Sequence, residues 1–379
     1  MNATISEEME ACSVDSKIYL KPVGFTDSPQ YFDDKNTRLN NSLIWFSQIE
    51  CSVFEPHKPA LRILIPVAEW AETIKSFAEP LQQSAQKQFS NLNRHHQPLD
   101  CGERTIRFDQ PHVMGILNIT PDSFSDGGQH VDDPQAAASA AVDMAVAGAS
   151  IIDIGGESTR PGAETVWEGD EIKRVVPVIE KLAHCGAAIS VDTRKAAVME
   201  AALAAGAHII NDVSALLHDK RSLEVAGVSG RPVVLMHAPS SGKNPHQGDG
   251  YGDVVTDTYD WLEQRIADVV EAGFEREKII IDPGLGFGKS LADNLALMNN
   301  IALFHSLGQP LLIGASRKRM IGALSKEAPV DQRLGGSIAF AHHSAQQGAQ
   351  IVRVHDVPET VQAMQIWRGM RDAGLTAGV

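Results

Sequence analysis

The stretch AAISVDTRKAAVMEAALAAGAHIIND, residues 187–212, decides how this chain folds. It opens with a short apolar run, AAISVD (187–192), and passes through Thr193, Arg194 and Lys195. An Ala-rich segment over 195–205 follows, stops at Gly206, and gives way to a second apolar run, AHIIND (207–212). Runs this short, bounded by polar residues, read as strands covered on both faces. The Ala, Leu, Met and Glu between them favour helix, and a glycine just past the helix supplies a left-handed cap. Strand, helix and strand in succession make a parallel βαβ unit.

The pattern repeats on both sides. Apolar runs recur as VMGILN (113–118), SIIDIG (150–155), PVVLMH (232–237), KIIIDP (278–283), PLLIGA (310–315) and QIVRVH (350–355). Helix-like stretches lie between them at 134–147, 170–183, 259–272, 291–306 and 337–347, most closed by Gly148, Gly186, Gly273, Gly308 or Gly348. Eight such units over residues 109–375 predict an α/β fold, a closed (β/α)8 TIM barrel, rather than an open doubly wound sheet. No GxGxxG turn follows the first strand, so a dinucleotide-binding sheet is disfavoured.

Residues 1–108 read differently, as a small N-terminal α/β extension with a linker and no stated role. Strands are expected over 43–54 and 61–65. Val67, Trp70, Ile74, Phe77 and Leu81 fall at helical spacing, with Pro80 as a kink. The Gln-rich segment 82–100 reads as linker, and its His95 and His96 as solvent-exposed linker histidines rather than metal ligands.

Composition narrows the function. A chain of 379 residues suits one barrel plus an extra segment. No apolar run reaches the roughly 18 residues of a membrane span. The opening MNATISEEMEACSVDSK has no signal-peptide pattern, so a cytoplasmic location is expected. Cys12, Cys51, Cys101 and Cys185 are scattered, as reduced thiols would be, with no metal spacing. A net charge of −15 argues against general nucleic-acid binding and requires that any anionic substrate meet a local basic cluster.

Such a cluster exists at the strand ends, where barrel enzymes place their chemistry. Arg160, Lys318, Arg353 and His355 supply positive groups suited to phosphate or pyrophosphate. Asp192, Asn211 and Asp282 end neighbouring strands and would face one pocket. A carboxylate there can accept two N–H donors side by side, which suits a nitrogen heterocycle with an amidine-like edge. Asn118 offers a neutral oxygen to a Mg²⁺ that also sits on phosphate oxygens. Taken singly, each residue has a plainer explanation as a helix cap, turn residue or solvated face, and roughly half could be just that, but their concurrence at one mouth argues against a purely structural origin for all of them. The loops TPDSFSDGG (120–128) and GGESTRPG (155–162) read as mobile lids, and the glycines of GLGFGK (284–289) as room for Phe287 beside a flat ligand.

Seven motifs, NITPDSFSDGG (118–128), DIGGESTRPGA (153–163), SVDTRK (190–195), IINDVS (209–214), IDPGLGFGK (281–289), GASRKRMIG (314–322) and RVHDV (353–357), together resemble the dihydropteroate synthases. That resemblance implies a homodimeric (β/α)8 transferase of folate biosynthesis and a sulfonamide target. It would join 6-hydroxymethyl-7,8-dihydropterin pyrophosphate to para-aminobenzoate with loss of pyrophosphate. By position it assigns Asn118 to Mg²⁺ and pyrophosphate, and Asp192, Asn211, Asp282 and Lys318 to the pterin pocket, with Met236 and Phe287 as apolar walls and Gly314 alongside. Arg353 and His355 become pyrophosphate anchors. Thr159, Arg160 and Pro161 fall in the second loop, and Phe124, Pro161 and Ser316 border the aminobenzoate. Asp192, Arg160, Lys318, Arg353 and His355 are the expected catalytic set.

Two departures stand out: the loop APSSGKNPHQGDGYGDV (238–254) and the N-terminal segment. The competing readings are a methyl-transferring pterin barrel, which would not need Arg353 and His355, and a non-catalytic pterin-binding protein, which would be expected to have lost one of Asn118, Arg160, Lys318 or His355.

Overall fold

The computed structural model describes residues 16–26, 35–55, 60–120, 133–159, 162–239, 246 and 250–376. Eight short parallel strands form one sheet: β7 (His112–Asn118), β8 (Ile151–Gly155), β9 (Ala188–Asp192), β10 (Ile209–Asp212), β11 (Val233–Met236), β12 (Ile279–Asp282), β13 (Leu312–Ile313) and β14 (Ile351–Val354). Their order runs from β12 back to β7, then β14 and β13, and a parallel bridge between Ile281 and Leu311 closes the circle. The expected barrel is therefore present. β8 and β9 are buried at every position, as strands wrapped inside and out must be.

Helices follow the strands: α2 (Pro134–Val146), α3 (Glu168–Lys181), α4 (Ala196–Ala205), α5 (Ser222–Ser229), α6 (Val254–Glu271), α7 (Leu291–Asn299), α8 (Arg319–Leu324) with α9 (Leu334–Gln346), and α10 (Val357–Thr376). The segment expected as one helix over 291–306 breaks at Asn300, and Ile301–Leu307 tightens into a 3₁₀ turn. Ser290 and Asp293 cap the start of α7 reciprocally.

The lower end of the barrel is sealed by a hairpin, β5 (Leu99–Cys101) and β6 (Arg104–Ile106). Leu99, Cys101, Ile106 and Phe108 pack against one residue from each barrel strand, Met114 and Ile351 among them, in a continuous apolar layer. Each Leu, Ile, Val, Met or Phe of this layer contributes about 1.5–3 kcal/mol by leaving water.

Ahead of the hairpin, β1 (Lys17–Thr26), β2 (Thr37–Arg38), β3 (Trp45–Phe54) and β4 (Leu61–Pro66) form an antiparallel sheet backed by α1 (Glu79–Leu92). The sequence reading placed a linker over 82–100. Much of that span is instead helix, because Leu81, Ala85, Gln88 and Leu92 recur on one buried face. Pro80 starts this helix rather than kinking it, since its missing N–H is unneeded in a first turn. Gln88 donates to the Ile18 carbonyl (2.7 Å) and accepts from the Leu20 amide (2.9 Å), satisfying backbone of β1. His95 is exposed as expected, but His96 is buried, and desolvation depresses its pKa to about 3. The sheet rests on the flank of the barrel. The Tyr19 ring meets Tyr259 edge-on at 5.3 Å, its hydroxyl donates to Asp260 (2.9 Å), and Asn91 donates to the Ser306 carbonyl (2.8 Å).

Candidate active site

At the upper rim, the strand register sets Asn118, Gly155, Asp192 and Asn211 side by side on β7 to β10. A cavity of about 1200 Å³ opens above them, and Asn118, Thr159, Asp192, Phe287, Ser316, Lys318, Arg353 and His355 all line it. Asn211, Met236 and Asp282 are buried around it, with Met236 packed in the small apolar cluster that Phe287 joins. Gly314 lies against the Arg353 stem: a Cβ there would sit 3.8 Å from that of Arg353. Phe124, Arg160 and Pro161, and most of the two expected lids' tips, lie outside the described residues.

The centre of the site is a charge cluster that the sequence reading only partly found. Arg353 donates through Nε to Asp153 (2.6 Å) and through Nη2 to Asp192 (2.7 Å). Asn211 donates its amide to the same Asp153 oxygen at 3.0 Å. Asp153, fully buried, was missed; the available signal was a carboxylate inside the apolar run SIIDIG. A carboxylate only accepts, so Asp153 turns the Asn211 nitrogen inward and leaves its carbonyl oxygen for an N–H donor. Desolvation pushes Asp192 above the ordinary carboxylate range, Arg353 pulls it back, and Asp153 pushes it up again. Burial works against the Arg353 charge, but Asp153 and Asp192 outweigh it and the pKa rises. Asp282 is raised by desolvation, with Lys318 opposing, and it accepts from the Gly284 amide at 2.7 Å.

Lys318 donates to the Leu285 carbonyl, and its ammonium stands 5.1 Å from the centre of the Phe287 ring. Desolvation lowers its pKa to about 8. Just before it, Arg317 adopts φ of +56°, a left-handed conformation unusual for a side-chain-bearing residue. Its guanidinium is clamped by Asp356, two residues past β14, and its amide donates to the Ser337 hydroxyl (2.9 Å). That turn delivers Ser316 and Lys318 to the cavity on either side of Arg317, and Ser316 holds His355, whose amide donates to its hydroxyl at 3.1 Å. Strain in such a turn persists only where its surroundings enforce it.

The glycines of the 284–289 loop serve close approach to neighbouring chain as well as to the cavity. A Cβ at Gly284 (φ +69°) would fall 1.8 Å from the His237 carbonyl oxygen, and one at Gly286 (φ +80°) 3.1 Å from the Lys318 stem.

Other charged strand ends are structural. Asp212 caps its own turn, accepting from Ser214 and Leu216 amides at 2.7 and 2.9 Å. Arg194 and Lys195 are tied to Glu157 at 3.1 Å each, and Lys195 also to Glu171, so they anchor the loop after β8 to β9.

Among the described residues, no group of three His, Cys, Asp or Glu side chains could hold a metal by itself. Asn118 Oδ1 and the Asp192 carboxylate do face the same space over Gly155, 3.5 and 3.8 Å from where a Cβ there would stand. A hard cation that arrives with phosphate oxygens fits such a site, since Mg²⁺ takes few protein ligands.

Residues 114–355 match the pterin binding enzyme family. The dihydropteroate synthase of Escherichia coli K12 is 47% identical over 263 residues, 69% of this chain and 92% of that protein. That of Bacillus subtilis is 45% identical over 263 residues, 69% of this chain and 89% of its own length. Among solved structures, a Xanthomonas albilineans dihydropteroate synthase with 4-aminobenzoic acid superposes with a TM-score of 0.68 at 45% identity, covering 73% of this chain and 98% of that one. The same enzyme in complex with 7,8-dihydropteroate gives 0.65 at 43% identity, over 73% and 99% of the two chains. With its barrel, its cluster of buried charges and these relatives in agreement, the chain belongs to the dihydropteroate synthases of the pterin-binding enzyme family.

Proposed function

We propose that this chain condenses 6-hydroxymethyl-7,8-dihydropterin pyrophosphate with para-aminobenzoate to give 7,8-dihydropteroate and pyrophosphate. The observation that carries this reading is the Asp153–Arg353–Asp192 bridge with Asn211 and Asp282 beside it: acceptors suited to a heterocycle's N–H edge lie next to Arg353 and Lys318, which line the same cavity and suit an anion.

In this reading, Asp192, Asn211 and Asp282 accept hydrogen bonds from the pterin, and Met236 and Phe287 cover its faces. Arg353 spends Nε and Nη2 on carboxylates, which fixes its guanidinium and leaves the remaining N–H groups for the pyrophosphate beside His355. The bond from the pterin methylene to the pyrophosphate oxygen breaks, and the leaving group takes the electron pair. Asp192 stabilises the cationic methylene through a fixed charge that need not reorganise. The aromatic amine attacks that carbon and then loses its proton. It is neutral near pH 7, so no strong base is required, and positioning supplies much of the rate. Asn118 would hold Mg²⁺, which when bound supplies positive charge to the departing pyrophosphate. Lys318 closes the pocket at the Phe287 side; Ser316 would border the aminobenzoate with Phe124 and Pro161, and Thr159 and Arg160 would act from the second loop, Arg160 as a further cation.

We further infer a homodimer in the cytoplasm with small-molecule substrates only, in which residues 1–108 form an extension and 109–375 the catalytic barrel. No helix of the described residues is long and apolar enough to cross a membrane.

A pyrophosphate-release assay with both substrates and Mg²⁺ tests the activity, with Lys318→Ala as control. Release coupled to dihydropteroate formation, and lost in the variant, is the expected result. Tight pterin binding without product from the wild-type chain would overturn it. Light scattering on the purified chain tests the dimer.

A further inference from the structure

We propose that Lys289 is a positioning residue for the heterocycle, holding the turn that carries Phe287 and Leu285 in place beneath Lys318. The proposal rests on the reading of this cavity as a pterin pocket. The Lys289 ammonium gathers the Gly284 carbonyl at 2.9 Å, the Phe287 carbonyl at 3.3 Å, the His237 carbonyl at 3.4 Å and His237 Nδ1 at 3.0 Å. These acceptors belong to two places in the chain: the residue just past β11 and the turn after β12.

While Lys289 is protonated its ammonium has only donors, so the His237 ring accepts at Nδ1 and keeps its proton on Nε2; burial lowers the Lys289 pKa to about 7. Burial and the nearby Lys289 charge both depress the His237 pKa, which keeps the ring neutral and fit for that role. The ring is held in turn by Trp261, edge-on at 5.0 Å, and by Tyr251 at 5.9 Å. Gly284 already presses its backbone on the His237 carbonyl, so Lys289 sits at a junction where two backbones meet without room for a side chain.

What the junction fixes is useful chemically. The turn it closes presents the Leu285 carbonyl, which accepts from Lys318, and the Phe287 ring, over which Lys318 lies. A lysine that converges on several carbonyls at one point acts as a compact point charge, a task a planar guanidinium performs poorly. Without it, the Phe287 turn loses its polar tie to His237 and keeps only its packing against Met236, while Asp192, Asn211 and Arg353 keep their mutual bonds. The loss should therefore fall on pterin affinity and spare the aminobenzoate.

The test is a double-mutant cycle in the full chain, reading the dissociation constant of 6-hydroxymethylpterin by fluorescence quenching. Phe287→Leu and Lys289→Met should each weaken binding by about tenfold, and the double variant by no more than about twofold beyond the weaker single one, because coupled residues are not additive. The KM for para-aminobenzoate should stay within about twofold of wild type in Lys289→Met, a split that general loss of structure would not produce. Lys289→Arg keeps the charge and should also bind the pterin more weakly. It replaces Lys289→Met in the cycle if that variant does not fold. Wild-type affinity in either Lys289 variant, or losses that multiply in the double variant, would overturn the proposal. If Phe287→Leu binds normally, or the wild-type chain does not bind the pterin, the pocket reading itself falls, and the role given to Lys289 falls with it.

Discussion

The two ends of the same eight strands are built to opposite rules. At the lower end, Met114, Ile151, Ala188, Ile209, Val234, Ile280, Leu312 and Ile351 meet the hairpin in a layer with no charge. A few residues further along those strands, Asp153, Asp192, Asn211, Asp282 and Arg353 crowd into one buried cluster. Burying charge is unfavourable unless it is paired, and a cluster of this kind adds little net stability over an apolar filling. The lower layer therefore holds the barrel shut, while the upper cluster holds charges where a substrate can use them. The difference predicts that substitutions at the two ends fail in different assays.

The sharpest test is Arg353→Ala. It leaves Asp153 and Asp192 buried without their shared cation, so thermal and urea unfolding should show a loss of about 3–5 kcal/mol. Turnover should fall by about 10²–10³-fold as well, since a preorganised charge is lost. A variant with wild-type stability would mean that the upper cluster is not held together by this bridge. Next in size, Ile106→Ala at the lower end removes a fully buried side chain and should cost about 2–5 kcal/mol, with KM for both substrates unchanged. A changed KM there would break the division between the ends.

A pH series separates the two effects at one residue. Lys318 titrates at about 8, below its ordinary value, because burial disfavours its charge. As pH rises through 8 its ammonium is lost, and kcat/KM for the pterin substrate should fall by up to about tenfold per unit. Stability should move the other way over the same interval. The unfolded chain still holds that proton up to about 10.4, so it binds more protons than the folded one, and folding gains as pH rises. Lys318→Arg should flatten the activity profile above pH 8, and a profile as steep as that of wild type would remove Lys318 from this role. The smallest effect is expected from Arg104→Ala on the outside of the hairpin. It loses bonds to the Gly186 carbonyl (3.1 Å) and the Ser150 hydroxyl (3.0 Å), worth about 0.5–1.5 kcal/mol each at most in such a setting, and turnover should not change.

Much of this was legible in the chain itself. The βαβ period, the capping glycines and the polar strand ends predicted a barrel with Asp192, Asn211, Asp282, Lys318, Arg353 and His355 at one mouth, and all of them lie in or around the cavity. The N-terminal region was read less well. α1 is rich in Gln and polar residues, so its one buried stripe gave a weak signal, and His96 is buried with its ring edge-on to Phe108, a contact that no local pattern shows.

The sequence by itself determined the order of strands and helices, because hydrophobic period, helix propensity and glycine caps act over a few neighbouring residues. Only the tertiary structure decided which charges serve the site. Arg194 just past β9 and Arg353 near the end of β14 both belong to apolar strand patterns, yet one is bound to Glu157 as an anchor for a loop and the other bridges Asp153 and Asp192 at the cavity. The partners of Arg353 lie 200 and 161 positions away. An ion pair forms at a few ångströms in space, whatever the separation in sequence, so closing the barrel is what chose between the two roles.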